Sequence, residues 1–247
     1  MPSDSLSARQ WLEQHPLAPD EYLYVVLSNA SDAHPLARYY QIATPTAPIP
    51  IWSDTPYAGW KEVMPYVDQL ASDSPLLGWI DGCEEQDWGW LAVSRCPPEV
   101  VAEHLRGLTQ VIMPDRTEVF FRFWDGRHLL PILSYLGNAS AEVLPVFERY
   151  WINGYGVTSN GGVVRDAQPY PWWEVPQALL DQLSQEDPST LVDNLLQWLR
   201  EDYSALYFAL PQTNLRLKIE HFVKRAAAPQ ETLSTRVRAY LEQEVLQ

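Results

Sequence analysis

The sequence predicts an α+β fold in which a mixed α/β lobe with a small sheet is followed by an all-helical lobe. Continuous β-branched and aromatic runs alternate with helical patterns in the first part of the chain. Asn-Gly and Tyr-Gly turn signals follow, and leucines at helical spacing dominate the last part. We therefore divide the 247 residues into an α/β lobe at 1–152, a turn-rich connector at 153–174 and a helical lobe at 175–247.

The strands of the first lobe are predicted from short apolar runs bounded by polar or turn-forming residues. The predicted strands cover residues 22–27, 49–52, 66–70 and 88–94, followed by a hairpin of 111–113 and 118–124. The run Tyr22-Leu-Tyr-Val-Val-Leu27 is typical of a buried strand because it contains no charged residue. We expect residues 22–27, 88–94 and 118–124 to share a mixed sheet.

Helical patterns with N-terminal signals separate these strands. The predicted helices cover residues 6–14, 34–40, 54–65, 74–80, 97–108 and 127–136. Ser7 is the expected N-cap of the first helix, and Pro16 stops it. Asp54 or Thr55 is the expected cap of the third helix, with Pro56 in its first turn.

The helical lobe is predicted from apolar stripes. One stripe consists of Leu191, Leu195, Leu199, Leu206 and Leu210. A second consists of Leu233, Val237, Tyr240, Leu241 and Val245. Since such a stripe faces a core, we expect Leu195, Leu199 and Leu206 to be buried.

Charge and cysteine content limit the partners and the compartment. The formal net charge is -15, from 17 Lys+Arg and 32 Asp+Glu. Such an acidic surface repels phosphates, so neither nucleic acid nor a membrane is an expected partner. Cys83 and Cys96 are the only cysteines, which favours a reducing compartment. With no signal-peptide pattern and no apolar run of ~20 residues, the expected location is cytoplasmic.

The sequence contains only weak candidates for catalytic, metal-binding or phosphate-binding residues. The acidic cluster Asp81, Glu84, Glu85 and Asp87 could bind a cation or serve a hydrolase, but a solvated loop is the better interpretation. Cys83 or Cys96 with His104 could form a nucleophile–base pair, but a packed thiol is favoured. Asn160-Gly-Gly162 is a weak phosphate-loop candidate and a better turn. We therefore predict no catalytic residue, no metal site and no cofactor.

Aromatic and arginine content instead favours a protein-binding surface. The chain has 11 tryptophans, more than one core needs, so some are expected at the surface. In a strand, Arg122 and Trp124 share one face and the phenylalanines between and before them share the other. Arginine and tryptophan are frequent at interface hot spots. The partner-binding candidates are Arg122, Trp124, Arg127, Trp88, Trp90 and Trp60. A purely structural pairing of Arg122 and Trp124 with Asp125 is the alternative.

Five short motifs follow one another along the first lobe. They are Tyr22-Leu-Tyr-Val-Val-Leu27, Pro65-Tyr-Val-Asp-Gln-Leu70, Ser74-Pro-Leu-Leu77 with Trp79, Trp88-Gly89, and Arg122-Phe-Trp-Asp125 with Arg127. This ordered set, over about residues 20–150, resembles the bacterial type VI secretion effector chaperones, also called adaptors. The family often has tyrosine at the position of Trp124 and proline at that of Gly126, and both differences are mild.

The resemblance implies a non-catalytic protein. Members of that family bind a toxic effector in the producing cell and help load it on the secretion spike. The spike is the valine-glycine-repeat protein (VgrG), often tipped by a proline-alanine-alanine-arginine-repeat (PAAR) protein. Two alternatives stay open at this point: an immunity-type protein that binds a toxin, and a hydrolase with a dispersed site.

Overall fold

A computed structural model describes most of the chain, which divides into two compact units, Met1–Leu179 and Leu180–Gln247. Each unit is treated by itself below. The described residues are 5–42, 47–159, 165–186, 189–209, 211–225 and 233–245. The predicted connector at 153–174 is not a separate unit in this division, and its boundaries stay a prediction.

The first unit is built on a six-stranded antiparallel sheet, and the second is helical, which confirms the predicted α+β class. The strands are β1 (Tyr22–Ser28), β2 (Ile49–Pro50), β3 (Pro65–Leu70), β4 (Gly89–Ser94), β5 (Gln110–Ile112), β6 (Glu118–Phe120), β7 (Arg149–Ile152) and β8 (Tyr155–Thr158). The main sheet has the order β2-β3-β1-β4-β7-β8, and β5 pairs with β6 in a separate two-stranded sheet.

The prediction of a mixed sheet that includes residues 118–124 is therefore wrong. Strand β1 pairs antiparallel with β3 on one side and with β4 on the other. Residues 118–120 instead pair with β5, which agrees with the predicted hairpin of 111–113 and 118–124. Sequence patterns identify apolar strands, but they do not say which strands become neighbours.

One face of the main sheet is covered by three short helices, α1 (Ala8–Gln14), α2 (Pro35–Ile42) and α3 (Leu76–Asp81). The predicted N-cap of α1 is confirmed. The Ser7 hydroxyl accepts a hydrogen bond from the Gln10 amide, and the Gln10 side chain accepts one from the Ser7 amide. This capping box fixes the start of α1, so that Trp11 packs into the core beneath the sheet.

The opposite face of the sheet carries aromatic side chains that anchor the next part of the chain. Tyr24 and Trp90 pack against Phe147, with ring centroids 6.2 and 5.4 Å apart. The Trp90 indole N–H donates to the Phe123 carbonyl oxygen at 2.8 Å. Helix α4 (Pro98–Arg106) contacts β2 and β3. With both faces covered, β4 is buried along its whole length.

Strands β7 and β8 form the hairpin that the Asn-Gly signal predicts. Asn153 and Gly154 form the turn with positive φ angles of 51° and 88°. Both turn positions need this left-handed conformation, which asparagine and glycine adopt most readily. The Asn160-Gly-Gly162 segment lies outside the described residues.

Two local predictions between the strands are wrong. Residues 54–63, within the predicted helix 54–65, form successive turns rather than a helix, and Asp54 has a left-handed φ of 63°. The ends of this segment meet, because the Ile51 amide donates to the Pro65 carbonyl at 2.9 Å. A helix over these residues would hold its ends roughly 15 Å apart. Similarly, β6 ends at Phe120, so Arg122 and Trp124 do not lie in a strand.

The remaining helices of the first unit include α5 (Gly126–Leu136), which begins at the Asp125 N-cap, and α6 (Ser140–Val143). They are followed by α7 (Gln177–Glu186), α8 (Ser189–Asp202), α9 (Ser204–Phe208), α10 (Gln212–Arg225) and α11 (Leu233–Val245). No helix among the described residues has both the length and the apolar character needed to span a lipid bilayer.

The second unit has its own core of leucine, isoleucine, valine and tyrosine side chains. Leu195 and Leu199 are buried there, as predicted, together with Leu215 and Leu241. Leu206 is only partly buried at the edge of this core, so the prediction of its burial is wrong. Leu210 lies outside the described residues.

Candidate functional site

The turns of residues 51–64 present aromatic side chains at the surface of the first unit. Each turn is closed by a backbone bond, such as that from the Trp60 amide to the Tyr57 carbonyl at 2.9 Å. The Asn29 side chain also donates to the Lys61 carbonyl at 2.8 Å. This bonding fixes the loop backbone, so that its aromatic side chains project from a defined scaffold.

Rings from this loop, from strand β6 and from the segment before α7 meet at the surface. We call Tyr57, Trp60, Phe120 and Tyr170 the aromatic patch. Trp60 stacks on Phe120, with ring centroids 5.3 Å apart and planes 27° apart. Tyr57 lies 4.7 Å from Phe120 and 6.2 Å from Tyr170. Trp60 is 50% exposed and Phe120 36% exposed, so rings that pack on one another still face solvent.

The aromatic patch rests on two buried tryptophans. Trp52 and Trp124 are 1% and 4% exposed and meet edge to face, with centroids 5.1 Å apart. Trp52 also contacts Tyr57, Trp60 and Phe120 at 6.0–6.3 Å. Among the described residues, neither buried indole N–H has a hydrogen-bond acceptor. The patch is thus the outer layer of an aromatic stack that continues into the protein.

Charged residues next to the aromatic patch are mainly acidic. Asp54 and Glu62 are exposed in the loop that carries Trp60, and exposed Glu118 lies on the same face of β6 as Phe120. Lys61 is the basic residue within the loop, and half-buried Arg106 of α4 reaches the loop from outside, since its Nε donates to the Ile51 carbonyl at 2.8 Å. Within the described part of the chain, neither the three carboxylates nor Lys61 forms an ion pair.

The predicted Arg122–Asp125–Arg127 group forms a compact ion-pair cluster beside α5. The Asp125 carboxylate is fully buried and accepts from Arg122 Nη2 and Arg127 Nη2, both at 2.9 Å. It also accepts from the Arg127 amide at 3.0 Å, which caps the helix. Hydrogen bonding to Asp125 raises the pKa of Arg127, and nearby Asp87 adds to this effect. Both guanidinium groups remain half exposed.

The predicted partner-binding residues are therefore split between surface and core. Trp60, Arg122 and Arg127 present side chains to solvent. Trp88, Trp90 and Trp124 are buried. Their role as contact residues stays a prediction, but in this conformation only the first three can meet a partner directly.

The acidic cluster before β4 is tied into the fold. Asp81 accepts a hydrogen bond from the Ala8 amide at 2.6 Å, and Asp87 accepts one from the Ser31 hydroxyl at 2.6 Å. Arg127 Nη2 lies 3.0 Å from Asp87. These two carboxylates thus hold neighbouring segments together. The described residues contain no group of three or more His, Cys, Asp or Glu side chains placed to hold a metal ion.

The candidates for a nucleophile–base pair, Cys83, Cys96 and His104, also lie in surroundings that fit a structural role. Burial raises the pKa of Cys83 to about 11, and Glu85 and Asp87 also disfavour its thiolate. Ser94 Oγ accepts from the Cys96 amide at 3.0 Å. His104 Nε2 lies 3.0 Å from the Arg165 carbonyl oxygen, and burial lowers the pKa of this imidazole. Because the thiolate is the nucleophilic form, this raised pKa disfavours Cys83 as a nucleophile.

The sequence predicted Trp60 as a surface residue but missed Tyr57, Phe120 and Tyr170. A weak signal existed for Phe120, since Glu118 and Arg122 stand two residues before and after it in the predicted strand 118–124. Its contact with Trp60 joins distant parts of the chain. Sequence periodicity contains no information about such a contact.

These features define an α+β protein with an exposed aromatic surface on its sheet-containing unit. Residues 23–142 match the family described as Domain of unknown function (DUF4123), so the chain carries a DUF4123 domain. This range includes Trp60, Phe120 and Asp125 but ends before Tyr170. No curated protein and no solved structure matches the chain.

Proposed function

We propose that this chain is a non-catalytic adaptor that binds a specific type VI secretion effector in the cytoplasm of the producing cell. In this role it promotes loading of the effector on the VgrG/PAAR spike. The DUF4123 match coincides with the stretch whose ordered motifs resemble the effector chaperones. This overlap supports the proposed adaptor role. The exposed aromatic patch of the domain supports direct binding of the effector.

The observation that carries the proposal is the exposed stack of Trp60 on Phe120 within the DUF4123 domain. Contiguous exposed aromatic rings are costly in water and mark protein-interaction sites. Aromatic side chains offer a large apolar area with few rotatable bonds, so binding costs little side-chain conformational entropy. A cargo-binding surface explains their exposure.

The Asp125 cluster fits the same role as a support for the binding surface. Trp124 lies directly before Asp125 in sequence and packs under the aromatic patch through Trp52. Asp125 fixes the start of α5 through its cap and two arginines. The cluster therefore holds one side of the aromatic stack in place.

The experiment is affinity capture of the tagged chain from a strain that secretes through a type VI system, followed by mass spectrometry. We expect a toxic effector in stoichiometric amount, with or without the VgrG or PAAR protein. Recovery of no effector from actively secreting cells would contradict the proposal. Protection of a recipient cell from the captured toxin would instead indicate an immunity protein.

A further inference from the structure

The composition of the aromatic patch and its acidic rim limits what can bind there. Aromatic rings recognise aliphatic and aromatic side chains by apolar contact, and their faces attract cations. Trp60 offers the largest accessible ring of the patch, with half of its surface in solvent. The apolar part of the binding energy is therefore expected to centre on Trp60 and Phe120.

The exposed charges at the rim of the patch are mostly acidic. Asp54, Glu62 and Glu118 are carboxylates without an ion-pair partner in the described part of the chain. The cations of the same region are exposed Lys61 and half-buried Arg106, whose Nε donates to the Ile51 carbonyl at 2.8 Å. A partner with lysine or arginine beside its apolar anchors would satisfy these carboxylates. Acidic segments would meet repulsion instead.

Self-association through the same surface is disfavoured by charge. Each copy has a formal net charge of -15, and two facing patches would bring like-charged rims together. A protein partner of opposite local charge therefore fits this surface better than a second copy.

We propose that the aromatic patch docks a basic amphipathic segment of the effector, in which aromatic or aliphatic anchors are flanked by lysine or arginine. This inference rests on the proposed function for the identity of the partner, but the patch and its rim define the chemistry independently. The anchors pack on Trp60 and Phe120, and the flanking cations pair with Asp54, Glu62 and Glu118. Rim charges accelerate association and select the partner, while the rings slow dissociation.

The test uses two synthetic peptides with identical tryptophan and leucine anchors, one with flanking lysines and one with flanking glutamates. Binding to the full chain is measured by fluorescence anisotropy of a dye on the peptide. We expect the lysine peptide to bind and the glutamate peptide not to bind. Trp60→Ala should raise the Kd of the lysine peptide about tenfold or more, as loss of a hot-spot residue does.

Two matched controls separate docking at the patch from general attraction to an acidic protein. Tyr135→Ala removes another exposed aromatic side chain of the first unit and should leave the Kd unchanged. Asp54→Asn, Glu62→Gln and Glu118→Gln together should weaken binding. Neutralising exposed Glu13, Glu84 and Glu103 changes the net charge equally and should have a much smaller effect. Equal losses in both triple variants, or wild-type affinity in Trp60→Ala, would overturn the inference.

Failure of docking at the patch can be distinguished from failure of the proposed adaptor function. If the effector recovered by affinity capture binds wild-type and Trp60→Ala chains equally, docking at the patch is wrong and the adaptor role stands. If no effector is recovered but the peptide discrimination holds, the adaptor role is wrong and the chemistry of the patch stands. A dimer in sedimentation that Trp60→Ala dissociates would assign the patch to a second copy and overturn the inference.

Discussion

Trp60 and Phe120 stack with 5.3 Å between their ring centroids, although both side chains are exposed to solvent. One ring belongs to a loop of successive turns and the other to the β5–β6 hairpin. Their contact ties the two segments together without removing either ring from water. Because a stable core would bury such a pair, our proposal is that a partner completes this surface.

Asp125→Ala should destabilise the first unit by about 2–3 kcal/mol, because it removes the charge-assisted hydrogen bonds to two half-exposed arginines and the cap of α5. Urea denaturation measures the free energy of unfolding. Glu174→Ala is the control, since it breaks an exposed pair with Arg116 and should cost less than about 1 kcal/mol. Equal effects of the two changes would show that Asp125 does not organise the fold.

Replacement of two buried tryptophans by phenylalanine should have unequal effects. Trp90→Phe removes the indole donor to the Phe123 carbonyl, whereas Trp124→Phe removes an N–H with no acceptor among the described residues. Both lose similar volume, so the hydrogen bond should make Trp90→Phe more destabilising by about 1 kcal/mol. Thermal or urea unfolding of the pair measures this difference. A larger loss for Trp124→Phe would mean that its indole N–H has an important partner.

The free energy of unfolding should fall at acidic pH, partly because Glu21 becomes protonated. Burial opposes its charge, but the Ala18 amide and the guanidinium groups of Arg149 and Arg95 outweigh burial and lower its pKa below the ordinary 4.5. Because the folded-state pKa is the lower one, this stabilisation is present above pH 4.5 and is lost as pH falls through the folded-state value.

Glu21→Gln should therefore cost about 1–3 kcal/mol at neutral pH and reduce the slope of stability against pH below pH 4.5. Urea denaturation across this range measures both effects. Exposed Glu13→Gln serves as the control for removal of one acidic charge. An unchanged slope in Glu21→Gln would contradict the assigned cause.

The core of the second unit predicts a large effect at Leu199, which is fully buried among leucine and isoleucine side chains. Leu199→Ala should cost about 2–5 kcal/mol through lost contacts and the remaining cavity. Leu217→Ala, on the exposed face of α10, should change stability little. Circular dichroism during urea unfolding can follow both variants. Similar small effects would show that the stripe does not form the core.

Local signals in the sequence were sufficient for several elements. The uncharged run of β1, the cap at Ser7 and the turn at Asn153-Gly154 each depend on neighbouring residues, and all three agree with the structure. Asp54 and Pro56 gave the wrong result because the same residue types begin helices and form turns. Tertiary closure of that loop onto Pro65 decided between them.

The candidate site was less predictable than the fold. Residue type alone identified Trp60, but it could not separate this exposed ring from buried Trp88 and Trp90. The difference arises because Trp88 packs into the core under α1–α3, whereas Trp90 is covered by Phe147 on the opposite face of the sheet, and both depend on distant parts of the chain. Arg122 and Arg127 were recognised as a group, but their shared buried carboxylate is visible only in three dimensions.

The adaptor role is tested most directly by effector secretion from the strain that encodes this chain. The amount of effector inside the cells and in the medium is measured by immunoblot, with and without the chain. The adaptor role predicts that removal of the chain abolishes secretion of its effector, while other type VI substrates are still secreted. Wild-type protein should restore secretion, and Tyr135→Ala should do so equally. Normal effector secretion without the chain would contradict the adaptor role.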